Sequence, residues 1–262
     1  NYPRAYKMID ELQPQAVIFS DGGPGCRWVG NEKGFAGATN WSFLRAGEVY
    51  PGYPNYRELQ YGHADGNQWV AAECDVSIRP GWFYHPEEDG RVKTVDELTD
   101  LYYRSVGHNA TLLLNFPVDR DGLIHPTDSA NAVNFHKNIQ KQLEKNLLAG
   151  LSPKASDERG KAFSAKAVTD NDYDTYSATI EFDLPQPEKI NRMMLQEYIP
   201  LGQRVKSFVV EYNQEGEWLP VKLNEETTTV GYKRLLRFET ITTDKLRVRF
   251  TDSRACLCIN NI

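Results

Sequence analysis

The apolar pattern of the chain changes near residue 150, and this change most constrains the fold. Before it, three apolar runs are nearly continuous: QAVIF (15–19), QWVAAECDV (68–76) and ATLLLNFPV (110–118). A continuous apolar run is typical of a strand buried on both faces, as in a parallel sheet covered by helices. The pattern of apolar runs in residues 1–148 therefore predicts an α/β architecture. A barrel is favoured over an open sheet because no glycine-rich phosphate-binding motif follows any strand.

Helical patterns fill the intervals between these runs. The segment TVDELTDLYYRSVGHN has Thr94 at its N-cap, acidic residues in its first turn and Gly107 near its end. A longer pattern begins near Pro126 and ends at Gly150, and residues 1–13 carry a shorter one. Strands and helices therefore alternate along the chain, which favours parallel strand pairing.

Residues 149–262 have a different pattern, with short alternating strands and no helix of any length. The strand candidates are SATIEFDLPQ, INRMMLQEYI, RVKSFVVEYNQ, EWLPVK, LLRFET and KLRVRFTD. Such strands, separated by polar turns, are typical of an antiparallel β-sandwich. The domain boundary is expected near residues 148–155, where AGLSPKA supplies glycine, serine and proline.

The composition disfavours several classes of partner. The net charge is −6 and no cluster of lysine and arginine stands out, which argues against nucleic acid and anionic membranes. No apolar run approaches the roughly 18 residues of a membrane span. The four cysteines lack the spacing of a zinc site, and we expect them to be buried free thiols.

Polar and aromatic residues follow each of the three apolar runs, at the strand ends where parallel α/β barrels place their chemistry. The candidates are Asp21, Arg27, Trp28 and Glu32 after the first run, Glu73, Asp75, Arg79, Trp82, Tyr84 and His85 after the second, and Asn115 and Asp119 after the third. Carboxylates beside exposed indoles and phenols are the usual lining of a sugar site, because sugar faces stack on rings and hydroxyls need polar partners. By itself, this pattern indicates no more than a carbohydrate-active class of protein.

Three motifs in order resemble the second half of the family-29 glycoside hydrolases, which are α-L-fucosidases. They are LQPQAVIFSDGGPGCRWVGNEKGFAGATNWS, ECDVSIRPGWFYH and NATLLLNFPVDRDGLIHPTD. The resemblance is strongest to the subgroup that prefers α-1,3- and α-1,4-linked fucose. It implies a retaining double displacement that needs no cofactor. It also places the acid/base at Glu32, the glutamate that closes RWVGNE, on a loop that Gly30 releases from the barrel wall.

The same resemblance implies that other essential residues lie outside this chain. The nucleophilic aspartate and the histidines that hold fucose belong to earlier strands of the family, and no matching motif follows Asn1. We therefore expect the C-terminal half of a (β/α)8 barrel, whose partner is the N-terminal half of the same enzyme. Half a barrel has two open sheet edges, so this fragment alone is expected to be inactive. Fucosylated oligosaccharides are the expected substrates, which implies a secreted or periplasmic location.

Four further residues are candidates for the sugar pocket. Trp82 is either a sugar-stacking platform or a cap on the barrel rim, and Arg27 either binds a substrate hydroxyl or anchors Asp21. Glu73 is a rival for the acid/base, and otherwise a substrate ligand or one half of a buried salt bridge. Trp28 is an apolar neighbour that would favour the protonated form of the acid/base carboxyl.

The second part of the chain resembles the discoidin-type, galactose-binding-like β-sandwiches in the motifs AVTDNDYDTY, GQRVKSFVVEY, GYKRLLRF and KLRVRF. In similar modules, Asp170, Asp172 and Thr175 would contribute oxygens to a structural calcium site, but a turn stabilised by Asx hydrogen bonds explains the same residues. A purely structural sandwich and a sugar-binding one both stay open. The rival to an enzyme is therefore a carbohydrate-binding sandwich attached to an inert barrel remnant.

Overall fold

The computed structural model describes residues 1–156, 164–170 and 180–262. Its α-helices are α1 (Tyr2–Leu12), α2 (Tyr56–Leu59), α3 (Val95–Arg104) and α4 (Pro126–Gln142). Its strands are β1 (Phe19–Ser20), β2 (Cys26–Trp28), β3 (Phe43–Leu44), β4 (Gln68–Trp69), β5 (Ala71–Ser77), β6 (Ala110–Asn115), β7 (Lys154–Ala155), β8 (Ile180–Glu197), β9 (Val205–Gln214), β10 (Glu217–Pro220), β11 (Arg234–Ser253) and β12 (Ile259–Asn261). Short 3₁₀ helices cover Pro86–Arg91, Ala165–Val168 and Ile199–Leu201.

Strands β1, β2, β5 and β6 form a parallel sheet in that order. Arg27 of β2 lies opposite Ala72 of β5, and Val76 of β5 lies opposite Leu114 of β6. Strands β5 and β6 confirm two of the predicted strands. The run at 15–19 pairs only at its last residue, in β1, and β2 was not predicted. A strand of three residues that contains an arginine has no apolar run to reveal it.

The predicted strand at 68–76 divides at Val70. Strand β4 before it pairs antiparallel with β3, whereas β5 after it belongs to the parallel sheet. The backbone N–H of Val70 donates to the carbonyl of Ser42 over 2.8 Å, and the Val70 side chain is fully buried. The chain therefore passes from one sheet into the other at this residue.

Helix α3 begins at the predicted N-cap. Thr94 Oγ1 accepts a hydrogen bond from the N–H of Glu97 over 3.3 Å, and Glu97 Oε2 accepts one from the N–H of Thr94 over 2.8 Å. This reciprocal capping box satisfies two N–H groups that lack helical partners. The helix buries Leu98 and Leu101 against Val76 of β5, so one face of the parallel sheet is covered.

Helix α4 begins at the predicted Pro126 but ends at Gln142 rather than at Gly150. Beyond it, Leu148 is buried in the core of the antiparallel part and Leu147 packs against that core. Burying these two side chains there requires the chain to leave the helix, which explains why the apolar pattern extended the prediction too far.

The antiparallel part has the strand order β10, β9, β11, β8, β12, with β7 beside β8. The pairing of the long strands β8 and β11 shifts register between Arg237 and Ile241 and again before Lys245. Phe182 and Leu195, from opposite ends of β8, nevertheless belong to one buried core. The long strands therefore bend around a shared core, as expected for the predicted β-sandwich.

Buried amides join the parallel part to the antiparallel part. The backbone N–H of Asn40 donates to Thr229 Oγ1 over 2.9 Å, and Gln203 Nε2 donates to the carbonyl of Asn40 over 2.8 Å. Asn40 Nδ2 donates to the carbonyls of His108 and Asn109 at 2.8 and 3.0 Å. Because a buried polar group is costly without a partner, these bonds hold the two parts in one fixed arrangement.

The structure tests the prediction that the four cysteines are buried. Cys26, Cys74 and Cys258 are buried, as expected, whereas Cys256 is exposed. Cys256 lies in the bend before β12 and does not pack in the core. None of the described helices is long and apolar enough to cross a lipid bilayer.

Removing the Thr94 cap should destabilise the protein measurably. In Thr94→Ala both side-chain bonds of the capping box are lost, and we expect the free energy of unfolding to fall by about 1 kcal/mol in urea denaturation. Thr94→Ser keeps a hydroxyl in place and is the matched control, with little change expected. Equal losses in the two variants would contradict the capping role.

His108 is buried at the junction, where its backbone bridges to Arg234. Burial, reinforced by the positive charge of Arg234, lowers the pKa of His108 to about 3. In an unfolded chain the pKa of a histidine is about 6.5. Between these two values only the unfolded chain binds the proton, so His108 costs stability as the pH falls through this window.

This titration predicts a defined pH dependence. Below pH 6.5 the wild-type free energy of unfolding should fall more steeply than that of His108→Gln, by up to about 1.4 kcal/mol per pH unit. Urea denaturation of both proteins at pH 7, 6, 5 and 4 measures the difference, and the carboxylates common to both cancel in it. Parallel stability curves would show that His108 is not held neutral.

Candidate active site

The carboxyl ends of β2, β5 and β6 meet at one edge of the parallel sheet. Strand β2 ends at Trp28 and leads to Glu32, and β5 ends at Ser77 and leads to Trp82. Asn115, at the end of β6, joins the two neighbouring segments: its Nδ2 lies 3.1 Å from Ser77 Oγ and 3.0 Å from the carbonyl oxygen of Trp82. Two of the strand-end residues predicted from sequence, Asn115 and Trp82, are therefore held together at this edge.

Glu32 lies in a tight loop that leaves β2. Gly30 has a φ of 76°, and a Cβ there would lie 2.2 Å from the carbonyl oxygen of Tyr56, so a glycine is required. Asn31 Nδ2 closes the loop by donating to the carbonyl of Phe35 over 3.0 Å. The loop thus has a defined shape and presents the carboxylate of Glu32 at the surface.

The indole N–H of Trp82 donates to Oε2 of Glu32 over 2.8 Å. The two residues are 50 positions apart in sequence. The family resemblance placed the acid/base at Glu32, whereas Trp82 was expected to be either a sugar-stacking platform or a cap on the barrel rim. The bond engages one carboxylate oxygen and the edge of the indole.

Trp28 is engaged with a different carboxylate. Its indole N–H donates to Oδ1 of Asp75 over 2.8 Å, and the ring of Tyr56 packs edge-on at 5.3 Å. Burial raises the pKa of Asp75, and the hydrogen bond from Trp28 opposes that rise. The charges of Glu32 and Glu73 raise the pKa of Asp75 further, which shows that the three carboxylates share one electrostatic environment.

Glu73 lies opposite Trp28 in the pairing of β2 with β5. Its Oε2 accepts a hydrogen bond from the thiol of Cys26 over 3.4 Å. Burial and the negative charge of Glu73 raise the pKa of Cys26 to about 12, so this thiol stays neutral. Glu73 and Asp75 are two residues apart on β5 and therefore point to the same, partly exposed face.

The predicted role of Arg27 is wrong, because this side chain is fully buried. Its Nε, Nη1 and Nη2 donate to the carbonyls of Leu59 and Val70 and to Asn40 Oδ1, at 2.9, 2.7 and 2.6 Å. The alternative, a pair with Asp21, is also wrong, since that carboxylate accepts backbone N–H groups. Side chains alternate along a strand, and Arg27 takes the face opposite to that of its two neighbours.

The calcium site lies mostly beyond what the structure describes. Asp170 is exposed, and Asp172 and Thr175 lie outside the described residues. In residues 1–156, 164–170 and 180–262, no group of three or more His, Cys, Asp or Glu side chains is arranged to hold a metal ion. The calcium site therefore stays a prediction.

Asp75 was a strand-end candidate in the sequence analysis, but it was given no role in the sugar pocket. Its bond to Trp28 depends on the pairing of β2 with β5. The available signal was the spacing within AAECDV, which places Glu73 and Asp75 on one face of a strand.

Comparison with known proteins gives consistent relatives for both parts. Residues 150–260 match the model of the F5/8 type C domain family. An alpha-L-fucosidase 1 of Arabidopsis thaliana is 39% identical over 251 residues, covering 89% of this chain and 48% of that protein. The crystal structure of SpGH29 superposes with a TM-score of 0.91 at 31% identity, covering 100% of this chain and 58% of that one. A Ruminococcus gnavus GH29 fucosidase in complex with fucose gives a TM-score of 0.86 at 29% identity, covering 100% of this chain and 56% of that one.

The similarity extends over nearly the whole of this chain but over only part of each relative. The chain spans about half the length of the plant relatives that it matches. Both the parallel part with Glu32 and the antiparallel part are included in the superposed region, since the structures cover the entire chain. By sequence and by fold, the chain is similar over nearly its whole length to about half of an alpha-L-fucosidase, and its residues 150–260 match the F5/8 type C domain family.

Proposed function

We propose that this chain is part of a retaining exo-α-L-fucosidase that removes terminal α-1,3- or α-1,4-linked fucose from glycans. Residues 1–148 form the C-terminal half of its (β/α)8 barrel, and residues 149–262 form its galactose-binding-like sandwich. The resemblance to α-L-fucosidases along nearly the whole chain supports the activity. The single observation that carries the proposal is the hydrogen bond between Trp82 and Glu32, which joins two candidate site residues from different motifs of the sequence.

The partner of this chain is the N-terminal half of the same enzyme. No strand of the described residues pairs with the outer edges of β1 and β6, where Phe19, Thr111 and Leu113 are exposed. A cleft of about 1090 Å³ beside β6 and α4 is lined by apolar side chains, among them Leu112 and Phe135. Further barrel strands and helices would pair with these edges and fill this cleft, which supports the half-barrel assignment.

The first step forms a fucosyl-enzyme ester. A carboxylate of an aspartate in the N-terminal half attacks the anomeric carbon, and the bond from that carbon to the glycosidic oxygen breaks. Glu32 gives its proton from Oε1 to the departing oxygen, so that an alcohol leaves and Glu32 becomes a carboxylate. The N–H of Trp82 stabilises the charge that develops on Oε2.

The second step reverses these roles. The Glu32 carboxylate takes a proton from water while the water oxygen attacks the anomeric carbon and releases the aspartate. Two inversions leave the anomeric configuration retained. Glu73 and Asp75 make the neighbouring surface acidic, which favours the positive charge of an oxocarbenium-like transition state.

The surroundings of Glu32 suit a sugar as the leaving group. Trp82 is partly exposed and Tyr56, at the start of α2, is exposed. In the segment that leads to α2, Tyr50 packs edge-on against Tyr53 at 5.7 Å. Aromatic rings provide faces for a branched glycan next to the acid/base. Glycans that bear fucose lie outside the cytoplasm, so we place the enzyme in a secreted or periplasmic location.

The binding-module alternative is less well supported. An inert barrel remnant has no need to keep Glu32 bonded to Trp82 or Asp75 bonded to Trp28. The F5/8 type C match leaves room for glycan binding by the sandwich as an addition to catalysis.

Replacing Glu32 should separate substrates by the quality of their leaving group. In the full-length enzyme, we expect Glu32→Gln to lower kcat/KM on a fucosylated oligosaccharide by about 10²–10⁴-fold, because the departing alcohol loses its proton donor. An aryl fucoside with an acidic phenol leaves without that proton, so its first step should be nearly unaffected. Steady-state and burst kinetics on the two substrates measure the difference.

Glu239→Gln is the matched control, since Glu239 is an exposed glutamate on β11. It should leave activity on both substrates unchanged. Equal losses of Glu32→Gln on the two substrates, or no loss on either, would remove Glu32 from the acid/base role.

A further inference from the structure

A fully buried guanidinium stands at the start of the loop that carries Trp82. Arg79 lies two residues beyond the end of β5 and is 1% exposed. Its Nε and Nη2 donate to the two carboxylate oxygens of Asp128 over 2.8 and 2.9 Å. Asp128 is itself fully buried, in the first turn of α4. This bidentate pair anchors the start of the loop to a helix.

The same guanidinium also holds the far end of the loop. Its Nη1 donates to Oδ1 of Asp89 over 2.9 Å and lies 3.4 Å from the carbonyl oxygen of His85. The ring of Tyr84 lies 4.6 Å from the guanidinium carbon. One side chain therefore gathers both ends of residues 79–89 around itself.

Apolar contacts do little to fix the position of this loop, whose further polar contacts join Asp89 to Tyr84 and to His125 at 3.4 and 3.5 Å. Phe83 is 78% exposed, Pro80 is exposed, and nothing lies within 4 Å of a Cβ placed on Gly81. Apolar packing therefore contributes little here, and the polar anchors set the shape. Besides Arg79, the carbonyl of Trp82 accepts a hydrogen bond from Asn115.

Trp82 lies within this loop, and its indole N–H donates to Oε2 of Glu32. A general acid must present its proton along one direction, and the bond to Trp82 makes Oε1 the oxygen that does so. If the loop shifts, the N–H leaves Oε2 and the carboxyl is free to rotate. A misplacement of about 1 Å costs on the order of 10²-fold in rate.

We propose that Arg79, locked by Asp128, is a positioning residue for the acid/base: it holds the Trp82 loop so that Trp82 fixes the orientation of the Glu32 carboxyl. The role goes beyond that of a structural ion pair because its effect passes through one functional carboxylate. The inference rests on the proposed fucosidase activity for its kinetic test, and on the geometry alone for its structural test.

The kinetic test uses Arg79→Lys and Asp128→Asn in the full-length enzyme. Lysine keeps the charge of Arg79 but cannot bond Asp128 and Asp89 together, and asparagine keeps the shape of Asp128 while removing its charge. We expect kcat/KM on a fucosylated oligosaccharide to fall by about 30–100-fold and that on an activated aryl fucoside by less than about 5-fold. Equal losses on the two substrates in folded variants would overturn the proposal, and so would unchanged kinetics.

A double-mutant cycle with Glu32→Gln makes the test specific. If Arg79 acts through Glu32, Arg79→Lys should cause no further loss on the oligosaccharide once Glu32 is replaced. Additive losses would show that Arg79 acts by another route. Arg234→Lys is the matched control, since Arg234 is also a fully buried arginine, which donates to the backbone carbonyls of Ala38 and Glu226. It should lower Tm while leaving the ratio of the two activities unchanged.

Hydrogen exchange separates this inference from the proposed function. Arg79→Lys should speed amide exchange at least tenfold in residues 80–89 and in residues 30–35, with other strands protected as in the wild type. Unchanged exchange in both loops would overturn the positioning role, whatever the activity. If the full-length wild type hydrolyses no fucoside but both loops respond, the fucosidase proposal fails and the coupling of the loops stands. If Arg79→Lys does not fold, Asp128→Asn gives the same readouts.

Discussion

Parallel pairing of β2 with β5 is the constraint on which the rest of the structure depends. It places Trp28 opposite Glu73 and so puts indole and carboxylates on one face of the sheet. On the other face it buries Arg27, whose guanidinium satisfies carbonyls of two separate segments. The three residues of β2 therefore contact the acidic side chains of β5 on one face of the sheet and anchor irregular backbone on the other.

Buried guanidinium groups recur as the means by which this chain holds irregular backbone. Arg27 binds the carbonyls of Leu59 and Val70, Arg79 holds the Trp82 loop, and Arg234 binds the carbonyls of Ala38 and Glu226. Each guanidinium supplies several N–H donors in a fixed fork. Arg27 and Arg234 donate to backbone carbonyls, and Arg79 donates to the carboxylates of Asp128 and Asp89. The loops around the parallel sheet have few apolar contacts of their own. Hydrogen bonds from buried arginines therefore hold them in place, as hydrophobic clusters hold the helices and strands.

The regular elements of the fold were predictable from sequence because their signals are local. The apolar runs of β5 and β6 and the capping box at Thr94 each reflect interactions among neighbouring residues. Strand β2 was not predictable, since its pairing depends on β5 more than 40 residues away. The early end of α4 was missed for a related reason: Leu148 is buried by the antiparallel part, which no helical periodicity describes.

The candidate site divides in the same way. The resemblance to fucosidases selected Glu32, and the composition of the strand-end loops selected Trp82, but only the fold brings the two within one hydrogen bond. Arg27 was misassigned because a motif shows which residues are present and not which face of a strand they take. Asp75 was passed over because its partner Trp28 comes from another strand.

The amide network around Asn40 has a consequence for how such chains are assembled. Its partners Thr229 and Gln203 come from the appended sandwich, while His108 and Asn109 come from the loop before β6. The antiparallel part thus supports the parallel part and is not interchangeable with an unrelated sandwich. Replacing it would leave buried amides of the parallel part without hydrogen-bond partners, so the two parts are expected to be retained together.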